Sequence, residues 1–409
     1  MKLDKTSRVK GRLELSNSKL NTILEITNAI NENSSKHKLF SILKKVLVED
    51  LNIGSFTLFT FNEKWRVSLN EKVESTILDK IDIQKVEKSF KEIEILNSTT
   101  ISGLECFDIV IPVYHNENPL AYLLLADLED EKIEISPIIR HLKFIQSLAN
   151  IIVVALENKR LTKEYIKQIA VKKELELAQN MQSLLFPRKL PNSKNLEVNA
   201  YYEPHSEVGG DYYDLVELND HKTAITIADV SGKGMPAALL MANFQANLRA
   251  LLNITSDLKE LVKLCNNKVI ESANYEKFIT LFICIFDSKA RTLEYLNAGH
   301  QPGILKVNNQ FRLLNQGCTV LGMFDELPKI TSEVIKLEPY STLLCFTDGL
   351  SELEDANNIQ LEVEGLKKIM DKSNNLAELK DSLEDKIEEL KEGSDLEDDI
   401  TFLLAEFLR

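Results

Sequence analysis

The sequence predicts an α+β chain of two domains joined by a long helix, the second domain being two packed sheets flanked by helices. Three observations carry this. With 409 residues the chain is too long for one ordinary core. A helical pattern with no internal Gly or Pro runs from about Pro137 to Leu185. Beyond Pro191 the periodicity changes to many short strand-like runs, interrupted by helical patterns at only a few places.

Composition agrees, with 44% hydrophobic and 27% charged residues, as in an ordinary soluble globular protein. A formal net charge of -14, without a dense basic stretch, speaks against a nucleic acid partner. The continuous apolar run Ile151 to Leu156 is far short of a spanning segment, so no membrane association is expected. Residues 1–15 lack the apolar stretch of a secretory signal, which places the protein in the cytoplasm. Cys106, Cys265, Cys284, Cys318 and Cys345 are odd in number and scattered, the pattern of reduced thiols.

From Leu20 to Leu51 apolar residues recur at helical spacing in two blocks, split by the polar stretch Asn31 to Ser35. Strands follow at Ser55 to Phe61 and Phe107 to Tyr114, the latter turning through His115–Asn118 into Leu120 to Ala126 as a hairpin. A helical region lies between them, roughly Glu74 to Lys91. On the long helix, Ile166, Ile169, Leu177, Met181 and Leu184 form an irregular apolar stripe, and Pro187 and Pro191 end it. It reads as a connector between domains.

In the second half, strands are expected at Leu196 to Tyr202, Asp211 to Leu218, Lys222 to Ala228, Phe278 to Phe286, Thr292 to Leu296, Ile304 to Val307, Phe311 to Leu314, Ser332 to Leu337, Thr342 to Phe346 and Thr401 to Phe407. Helices are expected at Pro236 to Leu252, Leu258 to Ala273 and between Leu361 and Leu390. Acidic residues recur at the strand ends. Asp211 follows Gly209-Gly210, where missing side chains allow close approach to a neighbour. Asp229 opens Asp-Val-Ser-Gly-Lys-Gly, Asp348 precedes Gly349, and Asp398-Asp399 precede the last strand. Singly, each suits a turn. Together they are hard oxygen donors of the kind Mg²⁺ or Mn²⁺ takes, and two such ions can activate a water and neutralise a phosphate ester.

The order and wording of these motifs resemble the metal-dependent phosphatases related to protein phosphatase 2C, in their bacterial SpoIIE/RsbU-like branch. The resemblance spans about residues 172–409 and includes Ala178–Pro187, the Gly-Gly-Asp and Asp-Val-Ser-Gly-Lys-Gly segments, Thr280-Leu281-Phe282, Asn297–Pro302, Thr347-Asp348-Gly349 and Asp398–Thr401. It implies an α-β-β-α sandwich and a centre of two Mn²⁺ or Mg²⁺ ions held by Asp211, Asp229, Asp348 and Asp398, with the Val230 carbonyl as a further ligand. Asp399 is the alternative to Asp398. Water would attack phosphorus, and the substrate would be a phosphoserine protein of the anti-sigma-factor-antagonist type.

The element order of residues 18–158 resembles a GAF-type sensory domain, after an extension at 1–17 and before a helical linker at 159–190 and the phosphatase domain at 191–409. The Asn-Lys-x-Phe-x-Asp-Glu signature of cyclic-nucleotide-binding members is missing, so the module either senses another small molecule or protein signal or serves to form a homodimer. For Asp214, His300 and Lys233 two readings each stand. Asp214 either supports a ligand from behind or shapes a turn; His300 either protonates the leaving oxygen or hydrogen-bonds locally; Lys233 either meets the phosphate or is solvated. The phosphate-binding arginine of eukaryotic relatives has no counterpart just before Gly209. A degenerate, partner-recruiting scaffold is the alternative function. A diguanylate cyclase is excluded because Tyr212-Tyr213 stand where that family needs Glu-Phe.

Overall fold

The polar stretch after Asn31 does divide the first helical region. Helix α1 covers Lys2–Asn31 and α2 covers Lys36–Lys45. Ser35 caps α2, its hydroxyl accepting the Lys38 amide at 3.2 Å, and a single π turn, Val46–Asp50, follows. α1 begins far ahead of Leu20, so residues 2–17 are helical. The computed structural model describes residues 2–96, 101–126, 137–355, 357–391 and 396–408. The chain divides into two units, Met1–Ile169 and Ala170–Arg409.

In the first unit β1 (Ser55–Asn62), β2 (Lys64–Glu71), the short helices α3 (Ser75–Leu78) and α4 (Ile83–Ser89), β3 (Glu94–Ile95), β4 (Ile109–His115) and β5 (Asn118–Ala126) follow in turn. The strands form one sheet in the order β2-β1-β5-β4-β3, antiparallel throughout, with β4 and β5 as the expected hairpin. β2 was not expected. Its signal was nonetheless present, because Trp65, Val67 and Leu69 alternate with Lys64, Arg66, Ser68 and Asn70 at the period of a half-exposed strand. One sheet face buries Phe56, Leu58, Ile111 and Leu123 with Ile26 and Leu43 from the helices; the other buries Phe59, Val110, Tyr122 and Leu124 with Val86. β4 and β5 are thus covered on both sides, which explains their nearly unbroken apolar runs.

Helix α5 runs over Pro137–Ser183. Within it, Ile138–Ser183 holds a stretch long and apolar enough, by length and composition, to cross a membrane. The short run Ile151 to Leu156 does not register this, because the other apolar residues recur at helical spacing. Ile138, Ile145, Leu148 and Ile152 of that stretch are buried in the core of the first unit.

The second unit contains β6 (Leu196–Glu203), β7 (Tyr212–Asn219), β8 (Lys222–Val230), α6 (Met235–Leu252), α7 (Leu258–Ala273), β9 (Ile279–Asp287), β10 (Thr292–Ala298), β11 (Gly303–Val307), β12 (Gln310–Leu314) and β13 (Gly317–Cys318). β14 (Glu333–Lys336), β15 (Ser341–Phe346), α8 (Asp348–Ser351), α9 (Glu362–Lys372), α10 (Leu376–Lys391) and β16 (Ile400–Phe407) complete it. One sheet runs β13-β10-β9-β8-β7, with β14 also paired to β10, and the other runs β12-β11-β15-β16-β6. Three apolar layers hold these together. Ala228, Met241, Phe244, Leu261 and Ile283 bind α6 and α7 to the first sheet. Ile225, Phe282, Tyr295, Leu343 and Leu403 fill the space between the sheets. Leu344, Phe402, Leu366, Leu379 and Leu383 bind α9 and α10 to the second. The result is an α-β-β-α sandwich.

Leu403 is fully buried in the middle layer, so Leu403→Ala should lower stability by about 2–5 kcal/mol. Urea unfolding of the variant checks this, and a midpoint equal to that of the parent would contradict the layer assignment.

Candidate active site

Strand alternation brings the acidic residues together. In β8, Ile225 and Ile227 face the opposite sheet, while Ala224, Ala228 and Val230 face α6 and α7. Asp229 therefore turns into the inter-sheet space at the strand end. Tyr212 pairs with Ala228 and Tyr213 with Ile227, which brings Asp211 alongside Asp229. On the other sheet Leu343, Cys345, Leu403 and Ala405 line the same space. By the same alternation Thr347 and Thr401 point inward at the ends of β15 and β16. Both hydroxyls donate to Asp211 Oδ2, that of Thr347 at 2.8 Å.

Asp211 is 1% exposed. Burial, then the neighbouring charges of Asp229 and Asp399, raise its pKa well above the ordinary value, against the two threonine hydrogen bonds. Asp229 is pushed up to about 7, first by burial and then by Asp348 and Asp398. Asp348, the first residue of α8, is raised by burial and by Asp398. Glu352, which the sequence reading did not single out, is raised by burial and by Asp348 and Asp398. These carboxylates are desolvated and repel one another, and Lys233 is the cation facing them.

Asp398 and Asp399 are placed differently. Asp399 is 8% exposed; its Oδ1 accepts the His205 amide at 2.8 Å, and its Oδ2 accepts the Gly210 amide at 2.6 Å and the Asp211 amide at 3.4 Å. Both its oxygens are engaged in holding the Gly-Gly-Asp loop. The Asp398 side chain is 42% exposed and meets Lys233 Nζ at 3.1 Å. Lys233 also donates to the Glu397 carbonyl. A Cβ on Gly209 would collide with the Asp399 carboxylate and the Tyr202 hydroxyl, and one on Gly210 would stand 3.0 Å from the Val230 carbonyl oxygen. The missing side chains thus let the loop close on Asp399 and bring Val230 O to the site.

Gln182 is a residue that sequence reasoning missed. Its Nε2 donates to Gly209 O at 2.8 Å and its Oε1 accepts the Gly209 amide at 3.2 Å. The only signal for it was its place within the Ala178–Pro187 motif. Asp214 lies away from the other carboxylates in these contacts: Arg249 Nε and Nη2 donate to its two oxygens at 2.6 and 2.8 Å, and Tyr212 Oη also donates to it. It ties β7 to α6 rather than shaping a turn. His300 is buried, with Nδ1 2.8 Å from Thr280 Oγ1 and its backbone amide bonded to Asn297 Oδ1. Burial pushes its pKa down to about 3, so the ring is neutral.

Among the described residues no group of three or more His, Cys, Asp or Glu side chains stands at metal-holding spacing. The donor chemistry nevertheless fits a hard divalent cation. The donors are oxygens, the carboxylates are costly to ionise without a counter-charge, and the Val230 carbonyl oxygen lies 3.0 Å from where a Gly210 Cβ would stand.

Comparison with known proteins follows the same lines. Residues 219–408 match the family described as Stage II sporulation protein E (SpoIIE), a match that starts after Asp211. Phosphoserine phosphatase RsbU of Bacillus subtilis is 30% identical over 206 residues, 50% of this chain and 61% of the relative. Phosphoserine phosphatase RsbP of the same organism is 26% identical over 244 residues, covering 58% of this chain and 59% of the relative. The chain thus spans about three fifths of the length of these curated relatives. Among solved structures the SiaA-PP2C domain of Pseudomonas aeruginosa aligns with a TM-score of 0.52 at 18% identity, covering 59% of this chain and 98% of that one. The fold of the second unit is therefore that of the PP2C phosphatases, a metal-dependent class. More particularly, residues 219–408 of this region are similar to the SpoIIE type of that phosphatase domain.

Two outcomes follow. A carboxyl group whose pKa rises on folding favours the folded state most while protonated. The contribution of Asp229 is complete below its unfolded value of 3.8 and lost as pH rises through about 7. Without added metal, the melting temperature of the parent should therefore fall relative to Asp229→Asn across that interval, and a difference independent of pH would contradict it. Arg249→Ala leaves the buried Asp214 carboxylate with Tyr212 as its side-chain donor and should cost about 1–3 kcal/mol, read by denaturant unfolding.

Proposed function

We propose that the chain is a metal-dependent protein serine/threonine phosphatase acting on phosphoserine in a regulatory phosphoprotein of the anti-sigma-factor-antagonist type. The observation that carries this is the gathering of carboxylates at one rim of the sandwich, where Asp211, Asp229 and Asp348 are desolvated and Asp398 adds its charge to that of Asp229 and Asp348. The names of RsbU and RsbP as phosphoserine phosphatases support the reaction. When bound, two Mn²⁺ or Mg²⁺ ions would supply an acidified water and positive charge against the phosphate.

The residues take distinct parts. Asp211, Asp229, Asp348, Asp398 and the Val230 carbonyl are the ligands in this reading. Thr347 and Thr401 aim the Asp211 carboxylate by hydrogen bonds to one oxygen, leaving the other free. Asp399 closes the Gly209-Gly210 loop rather than serving as a ligand. Lys233 carries positive charge at the mouth, where the phosphate of the substrate would arrive. His300, neutral and buried, supports the rim through Thr280 and does not deliver a proton.

The first unit is a GAF-like regulatory domain in this proposal, supported by its five-stranded antiparallel sheet with long helices on one face and the short helices α3 and α4 on the other. The homodimer is supported by apolar side chains left exposed along the helices, among them Leu20, Leu24, Tyr165, Ile166, Leu177 and Met181. Control of the site through α5 is supported by the Gln182–Gly209 pair, since any shift of the helix end reaches the metal-binding loop directly.

Mn²⁺-dependent release of phosphate from a phosphoserine protein should fall at least about a hundredfold in Asp229→Ala and in Asp348→Ala. Parental rates in both would refute the ligand set. Residues 170–409 alone should differ from the full chain in rate and in oligomeric state, the latter read by light scattering. Agreement in both would remove the regulatory role of the first unit.

A further inference from the structure

We propose that the first unit binds a small amphipathic carboxylate in a cavity between α2, the end of β1 and α5. The cavity measures about 280 Å³, at the small end for a ligand pocket. Phe40, Leu120, Val153 and Leu156 form its apolar part, and the first three of these are 4%, 8% and 5% exposed. Lys36, Lys159, Arg160 and Lys163 line the rest, against a single carboxylate, Glu157. The lining thus carries an excess of positive charge in a chain whose net charge is -14.

The charges are not cancelled locally. Arg160 is committed, with Glu157 at 2.6 Å and Glu164 at 2.8 Å. Among the described residues Lys36 donates to a hydroxyl, Ser68 Oγ at 3.2 Å, which in turn pairs with Thr60 Oγ1 at 2.7 Å, and its ammonium stands 5.2 Å from the centroid of the Phe40 ring. Lys159 donates to the carbonyl oxygens of Asn33 and Ser34 at 3.0 and 3.1 Å, which leaves one of its three hydrogens free. Lys163 has no ion pair among the described residues. Among the described residues three ammonium groups around an apolar pocket therefore lack a carboxylate.

An apolar floor disfavours a bare inorganic anion, since it offers no polar partner for the remaining oxygens. An uncharged apolar molecule would leave the lysines unanswered. A ligand with a carboxylate at one end and a short apolar body satisfies both parts of the lining. This site lies in the first unit and does not depend on the phosphatase reading.

The test is isothermal titration calorimetry of the full chain with octanoate, 1-octanol and inorganic phosphate. Octanoate should bind with a measurable heat, and octanol and phosphate should each bind at least about tenfold more weakly. In Lys36→Glu/Lys163→Glu, both positions lying at the surface, octanoate affinity should fall about tenfold or more while the circular dichroism spectrum stays parental. Val153→Phe, which fills the floor, should abolish binding. No heat with octanoate, equal binding of octanol or phosphate, or octanoate binding unchanged by the double reversal in a folded protein would each overturn the proposal.

Discussion

The carboxylate of Asp211 lies between two sheets that belong to different stretches of chain, and its environment organises the rest of the second unit's rim. One oxygen is bound by Thr347 and Thr401 from the opposite sheet. Its backbone amide is held by Asp399, which also holds the amides of Gly210 and His205. A buried carboxylate tolerates this only with hydrogen bonds and nearby positive charge. The remaining carboxylates add repulsion, and Lys233 compensates only in part.

That dependence links packing to function. The inter-sheet layer of Ile225, Phe282, Leu343 and Leu403 fixes the spacing of the sheets, and so fixes whether Thr347 and Thr401 reach Asp211. Outside this layer, the salt bridge of Asp214 with Arg249 anchors α6 on β7, and the neutral His300 sits behind β9. Gln182 adds the end of the long helix to the same network. Each is a support for the rim, and none except Asp214 and His300 stood out from the sequence.

Much of the fold was legible because burial leaves a period. β8 and β9 read as strands, and α6 and α7 as helices, from apolar spacing alone. β2 was passed over although it alternates, since its weak apolar side was set among charged residues. The start of α1 was not legible, because residues 2–17 alternate charge and polarity without an apolar stripe. The apolar stretch in α5 was also missed, because its residues are spread around turns rather than contiguous.

The residue types and strand-end positions of Asp211, Asp229, Asp348 and Asp398 were determined by the sequence itself, since alternation and adjacent glycines are local properties. Their division of labour was decided only by the tertiary structure. Adjacent residues Asp398 and Asp399 have the same chemistry, yet one inward-facing position meets three backbone amides and the other meets a lysine at the mouth. The partners come from chain segments more than a hundred residues away, and no local pattern encodes which of two neighbours will face them. The physical reason is that a pleated strand end turns successive side chains to opposite sides, while the packing of the second sheet decides which side is the buried one.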